Sequence, residues 1–332
     1  MTALQACSKP PEIQRVEGYA QGTTYHISWW SETSLDTGVV EQQFQQQLAS
    51  IDKELSTYRD DSYISRFNAS PSTDWQPASQ DFIDLITLAK SISQKTQGCY
   101  DPTLGPLFGL WGFRKDVLNV PTPEQIQAVK AHMGMDKLEV DEVDHKIRKT
   151  VPDLQVDFSS MGEGYTIGKL TRILEDMGVT NYLVEFGGDM KIRGHKPDGK
   201  KWRIAIERPV PGNKTVHRIV TINDESGVTL DTSGTYRHHF DADGKRYSHI
   251  LDPRTGAPVT HDLVSASVFG VVPRESDAWA TAMLCMGQEE GMKVAEQEHL
   301  DVYFIQQKSA SVLIDSFSPS LKQEQRVTFE KE

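Results

Sequence analysis

Three things are scarce in these 332 residues: cysteine, positive charge and long apolar runs. The three cysteines, Cys7, Cys99 and Cys285, form no C-x-x-C, which excludes a zinc knuckle or a thioredoxin-type redox motif. Cys285 lies in the apolar run Ala282 to Gly287 and reads as a core filler. Lys and Arg number 35 against 47 Asp and Glu, a formal net charge of -12, and an acidic chain is poorly suited to holding nucleic acid. No apolar run reaches the ~20 residues of a membrane-spanning helix. The sequence also lacks G-x-x-x-x-G-K-[ST], H-E-x-x-H, G-x-S-x-G and S-x-x-K, which argues against P-loop enzymes, zinc proteases and the common serine hydrolases.

What is present is a globular composition: 37% apolar and 25% charged residues, with a mean hydropathy of -0.48. At this length the chain forms one large domain or two intimately packed ones, with a core that needs no metal or disulfide. Alternation predicts strands on either side of a Gln21-Gly22 turn between Val16 and Trp30. Apolar residues at helical spacing predict helices over Val39–Leu55 and Asp81–Gln97, separated by a polar loop from Tyr58 to Gln76. Tyr100 to Phe113 is too irregular for a helix and too apolar for an exposed loop, and Thr122 to His132 reads as a helix opened by Pro123. Further on, a short strand (Leu154 to Phe158) and a helix (Gly164 to Met177) precede a run of strands, and Ser276 to Met286 and Gln288 to His299 form two helices around Gly287. Many antiparallel strands with interspersed helices give an α+β class with mixed or antiparallel sheets and packed helices, not a doubly wound parallel sheet. The expected boundaries are an N-terminal segment over residues 1–15, a single domain of two intimately packed subdomains over 16–320, and a charged tail over 321–332.

Leu4-Gln5-Ala6-Cys7 resembles the lipobox at which bacterial lipoproteins are cleaved and acylated. On that reading residues 1–15 are a signal remnant and tether, with a lipid anchor on Cys7. The plainer explanation is an N-terminal extension with an incidental cysteine.

Four segments carry candidate chemistry. Asp157 to Gly168 runs from a strand into a helix, with Gly162, Gly164 and Gly168 one residue off the dinucleotide spacing. Glycines there let backbone N–H groups approach a phosphate at a positive helix terminus; an ordinary tight turn is the plainer explanation. Gly187-Gly188-Asp189 is either a hairpin turn or backbone passing close to a flat ligand. His249, ahead of the Asp252 to Gly256 turn, is a candidate general base or a structural histidine, while His238, His239 and His261 read as surface residues. Asp277 and Thr281 share a helix face at i and i+4 and offer hard oxygen ligands suited to Mg²⁺, unless Ser276 or Asp277 simply caps the helix.

In this order and spacing the segments resemble the ApbE family, the FAD:protein FMN transferases. The matching residues are Gly22-Thr-Thr-Tyr25, Ser56-Thr-Tyr58 with Asp61 to Asn68, and Asp101 to Leu107 followed by Leu110-Trp-Gly-Phe113. They continue with Val156 to Tyr165, Gly187 to Asp189, Thr232-Ser-Gly234 with Tyr236, Ser248 to Gly256, and Asp277 to Thr281. The likeness runs from about Gly18 to Ile305. It implies an α+β flavin transferase fold, FAD as substrate and Mg²⁺ as cofactor. It also implies transfer of FMN to a Thr or Ser hydroxyl of a target flavoprotein subunit, releasing AMP. The implied targets are subunits of the sodium-pumping NADH:quinone reductase or the Rnf complex, and the implied location is the periplasm, lipid-anchored, with the inner membrane favoured. By position, His249 is the implied base; Asp277, Thr281 and the Ser160 carbonyl the metal ligands; and Gln21, Tyr58, Cys99, Tyr100, Asp101, Asp157, Gly162, Glu163, Gly164 and Leu251 the flavin or adenine contacts. The chain departs from the family at Gln21, where Met is usual, and at Glu163, where many members carry Lys. Two other readings share the same binding residues: a flavin-binding lipoprotein without activity, and a hydrolase cleaving FAD to FMN and AMP.

Overall fold

Two residues with positive φ, Gln21 at 53° and Gly22 at 83°, close the first hairpin, in which Gln14–Ala20 pairs with Thr23–Trp30. This is the turn geometry whose twist matches the flanking strands. The hairpin is one edge of an eight-stranded sheet in a computed structural model that describes residues 11–212, 215–236, 238–242, 244–309, 311–323 and 325–330. The lipobox and its Cys7 lie outside the described residues.

After the hairpin the sheet continues with Asn181–Phe186, Asp189–Arg193, Val228–Gly234, Leu263–Gly270, Asp301–Gln307 and Leu313–Phe317. Every neighbouring pair is antiparallel, and the strands stand in chain order. Thr23–Trp30 therefore pairs directly with Asn181–Phe186, and the helices between them are a long insertion. Within Asp301–Gln307 the alternation is clean: Val302 and Phe304 join one apolar core, Tyr303 and Ile305 another on the opposite face. The first core packs the helices Gln80–Lys95 and Pro273–Gln297 onto the sheet. The second is covered by a three-stranded sheet ordered Val327–Phe329, Val216–Ile222, Arg203–Glu207. Thr37–Leu55 and Gly162–Asp176 pack on the first hairpin in a third core.

The α+β class is as expected, but several elements differ. Ser62 caps a seven-residue helix, Tyr63–Ala69, inside the expected polar loop. Gly105–Trp111 is helical within the stretch judged too irregular for a helix; Pro106 opens it and Gly112, at φ 88°, ends it. Gln76–Pro77, Lys146–Lys149 and Leu138–Asp141 form a small sheet that periodicity missed. The expected strand at Leu154 to Phe158 joins no sheet. Side chains hold it instead. The Asn68 amide donates to the Val156 carbonyl and its oxygen accepts the Val156 N–H, both at 2.8 Å. The fully buried Lys149 ammonium donates to the carbonyls of Phe67, Asn68 and Leu154. The two expected helices around Gly287 are both present within Pro273–Gln297, the first beginning at Pro273, three residues earlier than expected, and Gly287, at φ 74°, breaks the run between them. The tail is not only charge: Val327 is buried, and Phe329 packs on Phe269, Tyr303 and Phe317. Finally, Cys285 is not an isolated core filler. It is bonded to Cys99, 186 residues away.

Candidate active site

Two adjoining cavities, of about 430 Å³ and 240 Å³, open where the helical insertion meets the sheet. They share Tyr58, Asp157, Ser159 and Glu163 in their walls. Together they are in the size range of a small-molecule site. Tyr58 is 99% exposed, a large ring held in solvent at the rim of both. The larger cavity is lined by Cys99, Tyr100, Asp101, Ser160, His249, Leu251, Asp277 and Thr281, the smaller by Gln21 and Gly162. Of the residues assigned by position as base, metal ligands or flavin contacts, Gly164 alone lines neither.

Gly164 has a different task. It is buried where Gly162–Asp176 crosses Pro273–Gln297, and a Cβ there would stand 2.4 Å from the Pro273 carbonyl oxygen. Its N–H donates to Asp277 Oδ2 at 2.9 Å, and the Glu163 N–H also acts on that carboxylate. Asp277 thus caps the start of a neighbouring helix. It does not cap its own, which begins four residues earlier at Pro273. The first N–H groups of Gly162–Asp176 are therefore not the open phosphate cradle that the glycine spacing suggested. Gly164→Ala is expected to destabilise the protein by about 1–3 kcal/mol through overpacking against backbone. Gly168→Ala, on the same helix with no atom within 4 Å of its Cβ position, should be neutral or stabilising. Chemical denaturation of the two variants checks this; equal stabilities would refute the tight crossing.

The electrostatics are dominated by acids. Burial pushes the Asp277 carboxyl up to about 8, with the Glu163 charge adding to it. Asp189 and Asp231, on neighbouring strands, are raised well above the ordinary carboxylate value by burial and then by the surrounding carboxylates. The Thr232 N–H donates to Asp189 Oδ1 at 2.7 Å. Asp231 is wholly buried and neither of its oxygens completes a hydrogen bond, although the hydroxyls of Thr229 and Ser276, 2.6 Å apart, are its polar neighbours. A nest of buried carboxylates whose main charged neighbours are one another calls for protons or a cation. Asp277, the Thr281 hydroxyl and the Ser160 carbonyl are hard oxygen donors, the set that suits Mg²⁺. Thr281 Oγ1 lies 3.0 Å from Ser233 Oγ, and the Ser160 hydroxyl donates to Tyr100 at 2.9 Å.

His249 follows the Lys245–Ser248 strand. Its Nδ1 is 2.8 Å from the His238 carbonyl, which can only accept, so Nδ1 carries the proton and Nε2 is the ring's acceptor. The His238 side chain is 44% exposed, as expected of a surface residue, and it also lines the cavity and stacks on His249 with centroids 5.6 Å apart. The Asp101 carboxyl is nine-tenths buried, raised by that burial, and accepts from the N–H and hydroxyl of Thr103. Asp157 accepts the Ser159 N–H, and Gln21 accepts from the Thr166 hydroxyl. Sequence reasoning did not single out Asp231, Thr232, Ser233 or His238 as site residues. The Thr232-Ser-Gly234 motif was the available signal for the middle two.

The ApbE family model matches residues 21–304. The chain is 39% identical over 313 residues to the FAD:protein FMN transferase of Salmonella typhimurium, covering 91% of this chain and 89% of that protein. It is 38% identical over 304 residues to that of Escherichia coli K12, covering 90% and 86%. Among solved structures, the flavin transferase ApbE from Vibrio cholerae superposes with a TM-score of 0.84 at 34% identity, covering 95% of this chain and 99% of that one. The apo flavinyl transferase ApbE of Pseudomonas stutzeri gives 0.85 at 33% identity, covering 94% and 96%.

Proposed function

The chain belongs to the ApbE family and is an FAD:protein FMN transferase, and we propose that it transfers FMN with Mg²⁺ held by Asp277, Thr281 and the Ser160 carbonyl. The acceptor is the hydroxyl of a Thr or Ser in a target flavoprotein subunit. The observation that carries this reading is that Ser160, Asp277, Thr281 and His249 all line one cavity of about 430 Å³, with His249 Nδ1 held by the His238 carbonyl.

The acceptor oxygen bonds to the phosphorus of the FMN half of FAD. The bond from that phosphorus to the bridging oxygen breaks, and AMP leaves with that oxygen. The acceptor's proton passes to His249 Nε2, the ring nitrogen that does not face the His238 carbonyl. Mg²⁺, when bound, supplies neutralisation of the pyrophosphate charge. Positioning does the rest. Tyr58 offers an exposed ring face for stacking at the rim. Tyr100 and Asp101 form one wall, and Asp157, Glu163 and Leu251 complete the enclosure. The Cys99 side chain, being part of a disulfide, contributes shape and not a thiol.

Targets of this chemistry are subunits of the sodium-pumping NADH:quinone reductase or the Rnf complex, carrying a motif near Asp-x-x-Ser/Thr-Gly/Ala-Ala-Thr. The site of action is the periplasm, with the chain lipid-anchored through Cys7 and the inner membrane favoured. The deciding experiment is intact-mass spectrometry of an acceptor domain with that motif, after incubation with the protein, FAD and Mg²⁺. A mass gain of one FMN that EDTA abolishes supports the reading. Free FMN and AMP beside an unmodified acceptor would replace it with hydrolysis.

A further inference from the structure

Asp277, Thr281 and Cys285 stand at i, i+4 and i+8 on Pro273–Gln297, and all three line the larger cavity. Cys99, Tyr100 and Asp101 line it from the segment that follows Gln80–Lys95. One covalent bond joins these two walls, Cys99 to Cys285, with Cα atoms 5.9 Å apart. Both residues are nearly closed to bulk solvent, at 2% and 4% exposure, yet both border the cavity, so the cavity is the route by which a small reductant reaches them. An ionic strap runs beside the bond. The Asp252 carboxylate lies within 4.8 Å of both sulfurs, and Arg254 links it to Glu290, which lies just beyond the Gly287 break that ends the cysteine-bearing helix. Polar contacts hold the Cys99 wall independently: the Ser160 hydroxyl donates to Tyr100, and the Asp157 N–H donates to the Pro102 carbonyl. These contacts, with the burial of Cys99 and Tyr100 in the main core, keep the fold when the disulfide opens; the disulfide is the covalent link between the wall and the metal-ligand helix.

We infer that the Cys99–Cys285 bond is a redox-sensitive lock on the flavin site. Intact, it fixes the spacing between the wall that carries Tyr100 and Asp101 and the helix that carries Asp277 and Thr281. Reduced, it lets the walls relax and FAD binding weakens. The inference rests on the reading that FAD occupies this cavity. The chemistry is thiol exchange with a dithiol. One reductant thiolate attacks one sulfur and the protein S–S bond breaks. The second reductant thiol then displaces the mixed disulfide. Two thiols on the protein and one disulfide on the reductant result, with two electrons and two protons transferred.

The test uses the whole chain. Native protein is alkylated with iodoacetamide before and after treatment with dithiothreitol, and the Cys99 and Cys285 peptides are mapped by mass spectrometry. Both are expected to alkylate only after reduction. FAD at ten times its Kd leaves about one-tenth of the protein open, so reduction should slow roughly tenfold. The FAD Kd, read by flavin fluorescence below the melting temperature of the reduced protein, should rise about tenfold on reduction, the scale of effect that small displacements of binding groups produce. It should return on re-oxidation with oxidised glutathione. Cys99→Ala with Cys285→Ala should show the reduced Kd; reduction of the folded wild type keeps the test independent of that variant's folding. An unchanged Kd after complete reduction overturns the lock alone, and so does alkylation of both cysteines in untreated protein. An oxidised protein that binds no FAD overturns the reading of the cavity and the lock together.

Discussion

Asp277→Asn is expected to reduce flavin transfer by on the order of 10³-fold or more, because it removes the one carboxylate in the proposed metal set. The same substitution should change how stability depends on pH. In the folded protein without added cation, Asp277 keeps its proton up to about pH 8, whereas in the unfolded chain it loses it near the ordinary carboxylate value of 3.8. Between those values the folded state binds more protons than the unfolded one, so stability falls as pH rises. The slope from this group is at most about 1.4 kcal/mol per pH unit. In EDTA, wild type should therefore lose stability relative to Asp277→Asn between pH 5 and pH 8, and Mg²⁺ should restore wild type alone. Asn can still accept the Gly164 N–H, so the variant keeps the helix start capped. Parallel pH-dependent melts of the two proteins would refute the assignment, as would transfer by the variant within tenfold of wild type.

His249→Ala should lower transfer by about 10²- to 10⁴-fold, the range for loss of a positioned proton acceptor. Binding should respond differently. His249 borders the cavity and is not among the proposed metal ligands, so the FAD Kd should move by less than about threefold, a cost under 1 kcal/mol. Single-turnover labelling of the acceptor, read by mass, separates the two effects. A variant that labels at the wild-type rate would remove His249 from the reaction. A variant that no longer binds FAD would make it a binding residue.

The parts of this protein that were legible in its sequence are the parts written locally. Helical spacing from Val39 to Leu55 and the Gln21-Gly22 turn each lie within one window, and both elements are present in the structure. Gly105–Trp111 was not legible because Leu104 before it makes no side-chain cap bond, and seven residues show no period. Val327–Phe329 is only three residues long, and its pairing with Val216–Ile222 is decided by tertiary contact. Much of the site was visible as motifs: Asp277 and Thr281, Ser160, Tyr58 and His249 are brought to one cavity. What those motifs could not show was partnership. That Asp277 caps a distant helix, that Asp189 and Asp231 share one acidic nest, and that Cys99 reaches Cys285 are facts of chain crossing, separated by tens to hundreds of residues. Gly164 shows the same limit, since its spacing suggested a phosphate turn and the crossing helix explains it.

The strand order has a consequence during synthesis. Tyr25 must pair with Phe186, and Trp30 with Asn181, so the second strand cannot find its inner neighbour until the whole insertion has been made. At 5–20 residues per second the ribosome takes roughly 8–30 s to cover that gap. Through that interval Trp29 and Trp30, both buried in the finished protein, stand on a hairpin whose inner edge is also bare. The nascent chain therefore passes through a stage in which a holding factor, or rapid packing of Thr37–Leu55 onto the hairpin, decides between folding and edge-to-edge association.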